Sequence, residues 1–344
     1  MAIDILNVKP NKVSTDARSY SLLLVGPPKI GKSTLMQELY GEKTLFIATE
    51  KRFGTMDGAY IAYVSDWVEF MQVLNQIGTP QAREMYDNVI IDTLDNLQRY
   101  LDDYVASHYD ETVIGEQNNF GAEYKRAEVL WERAMKKIEN SGLNYASVVH
   151  DKVVTKDVPF ASLSKEEKAT IDKKQVKDGV IKLSKRVADL DTRYNKHIEK
   201  SFDNVIFADY GVNQAGDNTR VLYLRGGLHN DAKVTLKDVP DVIPFSAEKL
   251  QETFKKALSS YSNTTSDRKA RSDIKDSDYD YEELMAKAQT LSQEFVNLGQ
   301  TKAAQAVVED VLGTDTRVGD LTPNKVQELA LVISALESKL AELS

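Results

Sequence analysis

A chain of 344 residues, 42% hydrophobic and 28% charged, is long enough to bury one large core and a smaller second one. It has no cysteine, which excludes disulfides, thiolate metal sites and cysteine nucleophiles and suits a reducing, cytoplasmic setting. Its net charge of −9 argues against a general nucleic-acid coat.

No apolar run approaches the roughly 18 residues that a bilayer span requires, and the first residues lack a basic start followed by an apolar stretch, so no membrane partner or export signal is expected. His108, His150, His197 and His229 have no ligand-like spacing, and no structural metal is expected. In chain order, apolar β-branched runs bounded by turn residues predict strands at 19–26, 43–50, 59–66, 87–95, 144–151, 203–211 and 220–227. Helix-period stretches fall between several of them, at 32–41, 66–77, 95–107 and 121–140, with another at 246–260. Near-continuous apolar strands alternating with helices predict an α/β core, residues 1–260, with a mostly parallel central sheet flanked by helices on both faces.

Beyond it, residues 261–280 are polar and charged with little to bury, the composition of a linker. Leu284, Leu291, Phe295 and Leu298, then Ala304, Val308 and Val311, then Val326, Leu329, Ile333, Leu336 and Leu340 mark three amphipathic faces. Residues 281–344 are therefore expected to form a small all-α module of three helices, the last opened by Thr322 as N-cap and Pro323 at its first position.

The stretch "GPPKIGKSTL", residues 26–35, fits G-x-x-x-x-G-K-[ST] between a strand and a helix. Its phosphate-cradling positions are Gly26, Pro27, Pro28, Lys29, Ile30, Gly31, Lys32, Ser33 and Thr34. Backbone N–H groups from Lys29 to Ser33 can wrap phosphates while the helix that follows points its positive end at them; the two prolines lack that donor and stiffen the loop. Lys32 is placed to reach the β- and γ-phosphates, and the Ser33 hydroxyl to take a position on Mg²⁺. The strand in "NVIIDTLDNL" ends in Asp92, the second expected magnesium ligand. Asp95 is its rival, and also fits the N-cap of the following helix. "TLFIATE" ends in Glu50, where the strand ends of a parallel sheet converge and a carboxylate can orient or deprotonate an attacking water.

The loop, "FIATE", "VIIDTLDNL" and "ASVVHDKVV", in that order, resemble the RecA/RadA-like P-loop ATPase core. The chain is most similar to phage-encoded ATP-binding proteins of the recombination or single-strand-annealing type, whose cores tend to close with a pattern like "TRVLYLRGGLHNDAKVTLKDVPDVIPF" at 219–245. The resemblance covers about residues 19–260. It implies ATP and Mg²⁺ as cofactors, Glu50 as the catalytic carboxylate, Asp92 as the Walker B residue, and His150 as the γ-phosphate sensor. The bacterial recombinase has glutamine at that place, and here Asp151 follows His150 as an alternative sensor. It further implies self-association in a ring or filament, with Lys233 or Arg225 reaching a neighbour's nucleotide.

Between Lys152 and Lys200, 13 Lys or Arg stand against 8 Asp or Glu, a net of +5, whereas Ser260 to Ser344 carries 9 against 15, a net of −6. The basic insert, about 152–200, begins where recombinases carry a DNA-contacting loop. Lys152, Lys156, Lys173, Lys174, Lys177, Lys182, Lys185 and Arg186 can neutralise phosphates without reading sequence. The alternative for the same residues is a solvated, lysine-rich helical hairpin. The function expected from the resemblance is a DNA-stimulated ATPase acting on single-stranded DNA in phage recombination, annealing or replication. Two alternatives stand beside it: an ATP switch or helicase-loader-like protein acting through a protein partner on the C-terminal module, and a small-molecule kinase, for which the insert is poor in lid arginines, Arg186 and Arg193 being the two near it.

Overall fold

The computed structural model describes residues 10–51, 54, 56–117, 120–212, 216–261, 263–268, 281–313 and 317–343. They divide into two compact units, one holding the described residues 11–268 and the other containing the C-terminal helices.

The larger unit is built on strands that have no solvent face. β2 (Leu22–Gly26), β3 (Thr44–Ala48) and β5 (Asn88–Asp92) are buried at every position, as is the first part of β6 (Asn144–Pro159). Alternate residues serve opposite cores, because successive side chains leave a strand on opposite sides. Leu23, Val25, Leu45, Ile47, Val89 and Ile91 enter one apolar cluster. Leu22, Leu24, Phe46, Ala48 and Ile90 enter the other. The first is closed by α2 (Trp67–Ile77), α4 (Leu94–His108), α5 (Ala122–Glu139) and α7 (Thr192–Ser201), through residues such as Phe70, Leu97, Trp131 and Tyr194. The second is closed by α1 (Lys32–Tyr40) and α8 (Ala247–Leu258), through Leu35, Met36, Leu250 and Phe254.

With β4 (Tyr60–Tyr63), β8 (Asn204–Val212), β9 (Asn218–Tyr223) and β11 (Val242–Pro244), the sheet runs in the order β11-β9-β8-β2-β6-β5-β3-β4. From β8 to β4 all neighbours are parallel; β9 and β11 add an antiparallel edge, and β10 (Lys233–Val234) pairs antiparallel with β8. This is an α/β architecture, a mostly parallel central sheet with helices packed on both faces. In its order β6 lies between β2 and β5, which puts one strand between the phosphate-type loop and Asp92.

Two stretches differ from the sequence reading. Past the sheet, β6 continues as one arm of an antiparallel ribbon with β7 (Val180–Ala188), paired from Asp151↔Ala188 to Pro159↔Val180. The basic insert is therefore a strand ribbon at its base, not a helical hairpin; only α6 (Lys165–Thr170) and short turns lie between its arms. The β-branched pattern of Val153, Val154, Val158 and Val180 outweighs the helix-like charge interleaving beyond it. The stretch read as a linker is tied to the sheet unit over its first part. There β12 (Thr264–Thr265) pairs in parallel with β1 (Val13–Ser14), and Arg268 donates to the Asp87 carbonyl at 2.8 Å and pairs with its carboxylate at 3.3 Å. Residues 269–280 lie outside the described residues.

In the second unit, α9 (Tyr281–Asn297) and α11 (Val326–Leu343) supply most of a core of Leu284, Ala288, Leu291, Phe295, Leu321, Leu329, Val332, Ile333 and Leu336, against which Val307, Val308 and Val311 of α10 (Thr301–Leu312) pack partly buried. Thr322 and Pro323 open a short 3-10 turn, Pro323–Lys325, that leads into α11. No helix among the described residues is long and apolar enough to cross a membrane.

Trp131 and Phe295 are both fully buried, each in a different unit. Trp131→Ala and Phe295→Ala should each cost about 3–5 kcal/mol, the usual loss for an aromatic removed from a packed core. Calorimetry should show Phe295→Ala lowering the melting of the helical unit and leaving the sheet unit's transition in place, with the reverse for Trp131→Ala.

Candidate functional site

The site forms where the buried strands end. β2 leaves the sheet at Gly26, where a Cβ would lie 2.6 Å from the Ala208 carbonyl oxygen, so only glycine lets the strand turn out there. Gly31 has φ +103°, a left-handed conformation, and a Cβ on it would meet Arg220 Nη1 at 2.8 Å. Between them Ile30 is fully buried in the core under α1 and α8 and pins the loop. Pro28, Lys29 and Thr34 are exposed. Gly31 caps α1 without a side chain, and no acidic residue lies in the first turn. The leading amides of α1 are thus left for an anion.

Lys32 is 6% exposed, and its Nζ donates to the carbonyls of Gly26 at 2.7 Å and Pro27 at 2.9 Å. Burial lowers its pKa against the pull of Asp92, Asp95, Asp151 and Glu50. Ser33 donates its hydroxyl to Asp92 Oδ2 at 2.5 Å. Burial raises the Asp92 pKa, offset in part by that hydrogen bond and by Lys32. A serine hydroxyl and a carboxylate brought together are hard oxygen donors of the kind magnesium takes. Among the described residues no group of three or more His, Asp or Glu could hold a metal alone. The pair therefore fits a magnesium ion that completes its shell with phosphate and water.

One strand further along the sheet, the end of β3 is locked to the end of β5. Thr49 N–H donates to the Asp92 carbonyl at 2.8 Å, and Thr93 N–H donates back to Thr49 Oγ1 at 2.9 Å. Glu50 follows directly and is half-buried, its Oε1 accepting from Asn96 Nδ2 at 3.1 Å. Beside it lies a cavity of about 280 Å³ lined in part by Thr49, Glu50, Tyr63, Ser65, Glu69 and Tyr100.

On the other side of Asp92, His150 is the register partner of Gly26, the first residue of the loop. Asp95 is not an N-cap: Thr93 holds that place on α4, and the Asp95 carboxylate instead takes the His150 backbone N–H at 3.1 Å and its ring Nδ1 at 2.9 Å. Lys32, Ser33, Glu50, Asp92 and His150 are thus grouped around one crevice. Asp95, read from the sequence as a rival to Asp92 or an N-cap, joins them as the partner of His150, and Asn96 and Arg220 join without having been singled out. Arg220 reaches across from β9 to the Ile30 carbonyl at 3.0 Å with its guanidinium over the Phe245 ring. Asp95 was visible only as a second carboxylate after an apolar run. Nothing in the local pattern marked Arg220, whose partner is 190 residues away.

The basic residues of the insert separate into two sets. Arg186 bridges Asp151 and Asp209, Lys152 pairs with Asp189 at 3.3 Å, and Lys156 and Lys185 share Asp231 at 4.0 and 2.5 Å. Lys174, Lys177 and Lys182 are exposed and form no ion pair among the described residues. The Lys173 side chain lies outside the described part. Of the two trans candidates, Arg225 donates to its own chain's Val234 and Leu236 carbonyls at 3.0 and 2.6 Å, and Lys233 is exposed on β10.

A strand–loop–helix phosphate cradle with its lysine, a serine set against a strand-end aspartate, and a glutamate at the neighbouring strand end define a nucleotide-binding P-loop ATPase. Residues 18–236 match the AAA domain family AAA_24, and the chain belongs to that family. A curated relative, the SPbeta prophage-derived uncharacterized protein YorG of Bacillus subtilis (strain 168), is 28% identical over 141 residues, 40% of this chain and 43% of its own length. The match thus spans less than half of that relative. Among solved structures, the flagellar accessory protein FlaH from Methanocaldococcus jannaschii is similar at 12% identity over 60% of this chain and 77% of that one, with a TM-score of 0.28.

Because Lys32 is a ligand group on a loop whose conformation is set by Gly26, Ile30 and Gly31, Lys32→Ala should abolish ATP turnover while the far-ultraviolet circular dichroism spectrum stays that of the wild type. Full turnover in this variant would remove the site assignment.

Proposed function

We propose that the chain is a Mg²⁺-dependent ATPase that acts on single-stranded DNA in phage recombination, annealing or replication, in a cytoplasmic setting. The reaction read from the crevice is transfer of the γ-phosphoryl group to water. The loop amides and the Lys32 ammonium offset charge building on the phosphate oxygens. Ser33 and Asp92 would hold the magnesium ion, which when bound neutralises charge on the β- and γ-phosphates. Glu50 accepts a proton from the attacking water as the new P–O bond forms and the bond to ADP breaks. His150 is the residue proposed to sense the γ-phosphate.

The observation that carries the DNA half of the reading is the continuity of β6. One strand runs from His150, opposite the first residue of the loop, straight into the arm of the basic ribbon. DNA held by the ribbon can therefore bias the crevice through a single continuous strand. Lys174, Lys177 and Lys182, which make no ion pair among the described residues, are its best phosphate contacts, whereas Lys152, Lys156, Lys185 and Arg186 hold the ribbon's base. Self-association, with Lys233 supplying a neighbour's cation, belongs to the same proposal. A second reading, an ATP switch acting through a protein partner, is supported by the self-contained core of α9 to α11. A small-molecule kinase is disfavoured, because Arg186 and Arg193, the arginines available for a lid, are held by Asp151 and Asp209 and by Asp102 and Asp191.

Glu50→Gln should keep ATP binding and lose about 10² or more in turnover, the scale of a missing general base; loss of binding would make Glu50 structural. Turnover measured with and without single-stranded DNA separates the first reading from the others. Changing Lys174, Lys177 and Lys182 together to Gln should weaken single-strand binding for every base sequence and lower the salt slope by about 0.7 per lost contact, with basal turnover retained. Unchanged affinity and unchanged stimulation would leave these lysines as a solvated surface.

A further inference from the structure

We infer that Asp95 is a positioning residue for His150: it fixes the imidazole with the proton on Nδ1 and so makes Nε2 a hydrogen-bond acceptor at the nucleotide crevice. This rests on the reading above in which His150 acts on the γ-phosphate, and it specifies how. The two oxygens of one carboxylate take two groups of the same histidine, Oδ1 the backbone N–H at 3.1 Å and Oδ2 the ring Nδ1 at 2.9 Å. Backbone and ring are thereby set by a single partner that is itself 3% exposed. Asp95 lies in the first turn of α4 beneath the end of β6, so its own position is set by the buried Leu94 and Leu97 on either side.

A carboxylate can accept but not donate. Burial alone would raise the Asp95 pKa, but the hydrogen bonds from the His150 ring and backbone outweigh it and lower it, which keeps the carboxylate ionised. The ring nitrogen facing it must then carry the proton. Among the described residues Nε2 makes no hydrogen bond.

In the neutral ring, Nε2 is a lone pair. Opposed to a phosphate oxygen it would be repelled, two acceptors meeting; opposed to a water it is a good partner. A glutamine amide offers both a donor and an acceptor, whereas the neutral, Asp95-held ring offers only an acceptor at Nε2. His150 therefore responds to the γ-phosphate by taking a hydrogen bond from the water next to it, on the side of the crevice opposite Glu50. Among the described residues, its ring is the one imidazole held by a buried carboxylate at the loop.

The two-bond nitrogen–proton correlation spectrum of the ¹⁵N-labelled full-length protein reads the tautomer directly, with His150→Gln used to assign the signal. The wild type should show the Nδ1–H form. Asp95→Asn keeps an oxygen for the backbone N–H but places an amide donor against Nδ1, so its spectrum should switch to the Nε2–H form. Its kcat should fall about 10- to 100-fold, the usual cost of losing the partner that orients a functional histidine, with KM for ATP held within about twofold. A wild-type signal in the Nε2–H form overturns the inference even if Asp95→Asn does not fold, and so does a switched tautomer with unchanged kcat. If His150→Ala turns over ATP at the wild-type rate, the sensing role falls and the inference with it. If His150→Ala is impaired and Asp95→Asn is not, only the role of Asp95 falls.

Discussion

The constraint on which the rest of the molecule depends is that its central strands are covered on both faces. β2, β3 and β5 have no solvent-facing position, so a charge within them would have to be buried without water. Polar chemistry is confined to the strand ends, and parallel pairing brings the same ends of neighbouring strands together. Gly26 sits opposite His150 and Ala48 opposite Asp92, with Glu50 just beyond. The crevice is the place where an apolar sheet can first afford charges, and all of its candidate chemistry collects there.

Charges that close to a low-dielectric sheet have to be compensated one by one. Ser33 serves Asp92, Asn96 serves Glu50, His150 serves Asp95, and the loop carbonyls serve the Lys32 ammonium. The same logic continues along β6 into the ribbon, where Asp151, just past the last residue paired to β2, is answered by Arg186, which also holds Asp209 on β8. The base of the ribbon is therefore braced by ion pairs while its outer lysines face solvent. A strand that is apolar core at one end and exposed ribbon at the other links the crevice to a surface with no hinge described between them.

Much of this was legible in the chain. The strand runs, the helices between them and the amphipathic faces of the C-terminal helices depend on local periodicity, and periodicity survives in any window of a dozen residues. The phosphate-type loop was legible because its residues stand at fixed spacing within one short stretch, Gly31 answering a left-handed turn, although the close approach that requires Gly26 comes from Ala208 on a distant strand. Asp92 and Glu50 could be named because each ends an apolar run. The ribbon was harder to read, since lysines and glutamates interleave just beyond its valines and imitate a helical surface.

What the sequence by itself determined was the core strands and most of the helices, the loop and the strand-end carboxylates, all of them properties of neighbouring residues. Only the tertiary structure decided which charges meet. Asp95 could equally have capped its helix, and it holds His150 because β6 is inserted beside β5 and brings a residue 55 positions away within 3.1 Å. Lys156 and Lys185 look like free phosphate contacts until Asp231 is folded against them, and Arg225 looks available until the carbonyls of Val234 and Leu236 claim it. Hydrogen bonds and ion pairs act over about 3–4 Å in space, and the distance in space between residues far apart in sequence is set by the order of strands in the sheet, which no local pattern encodes.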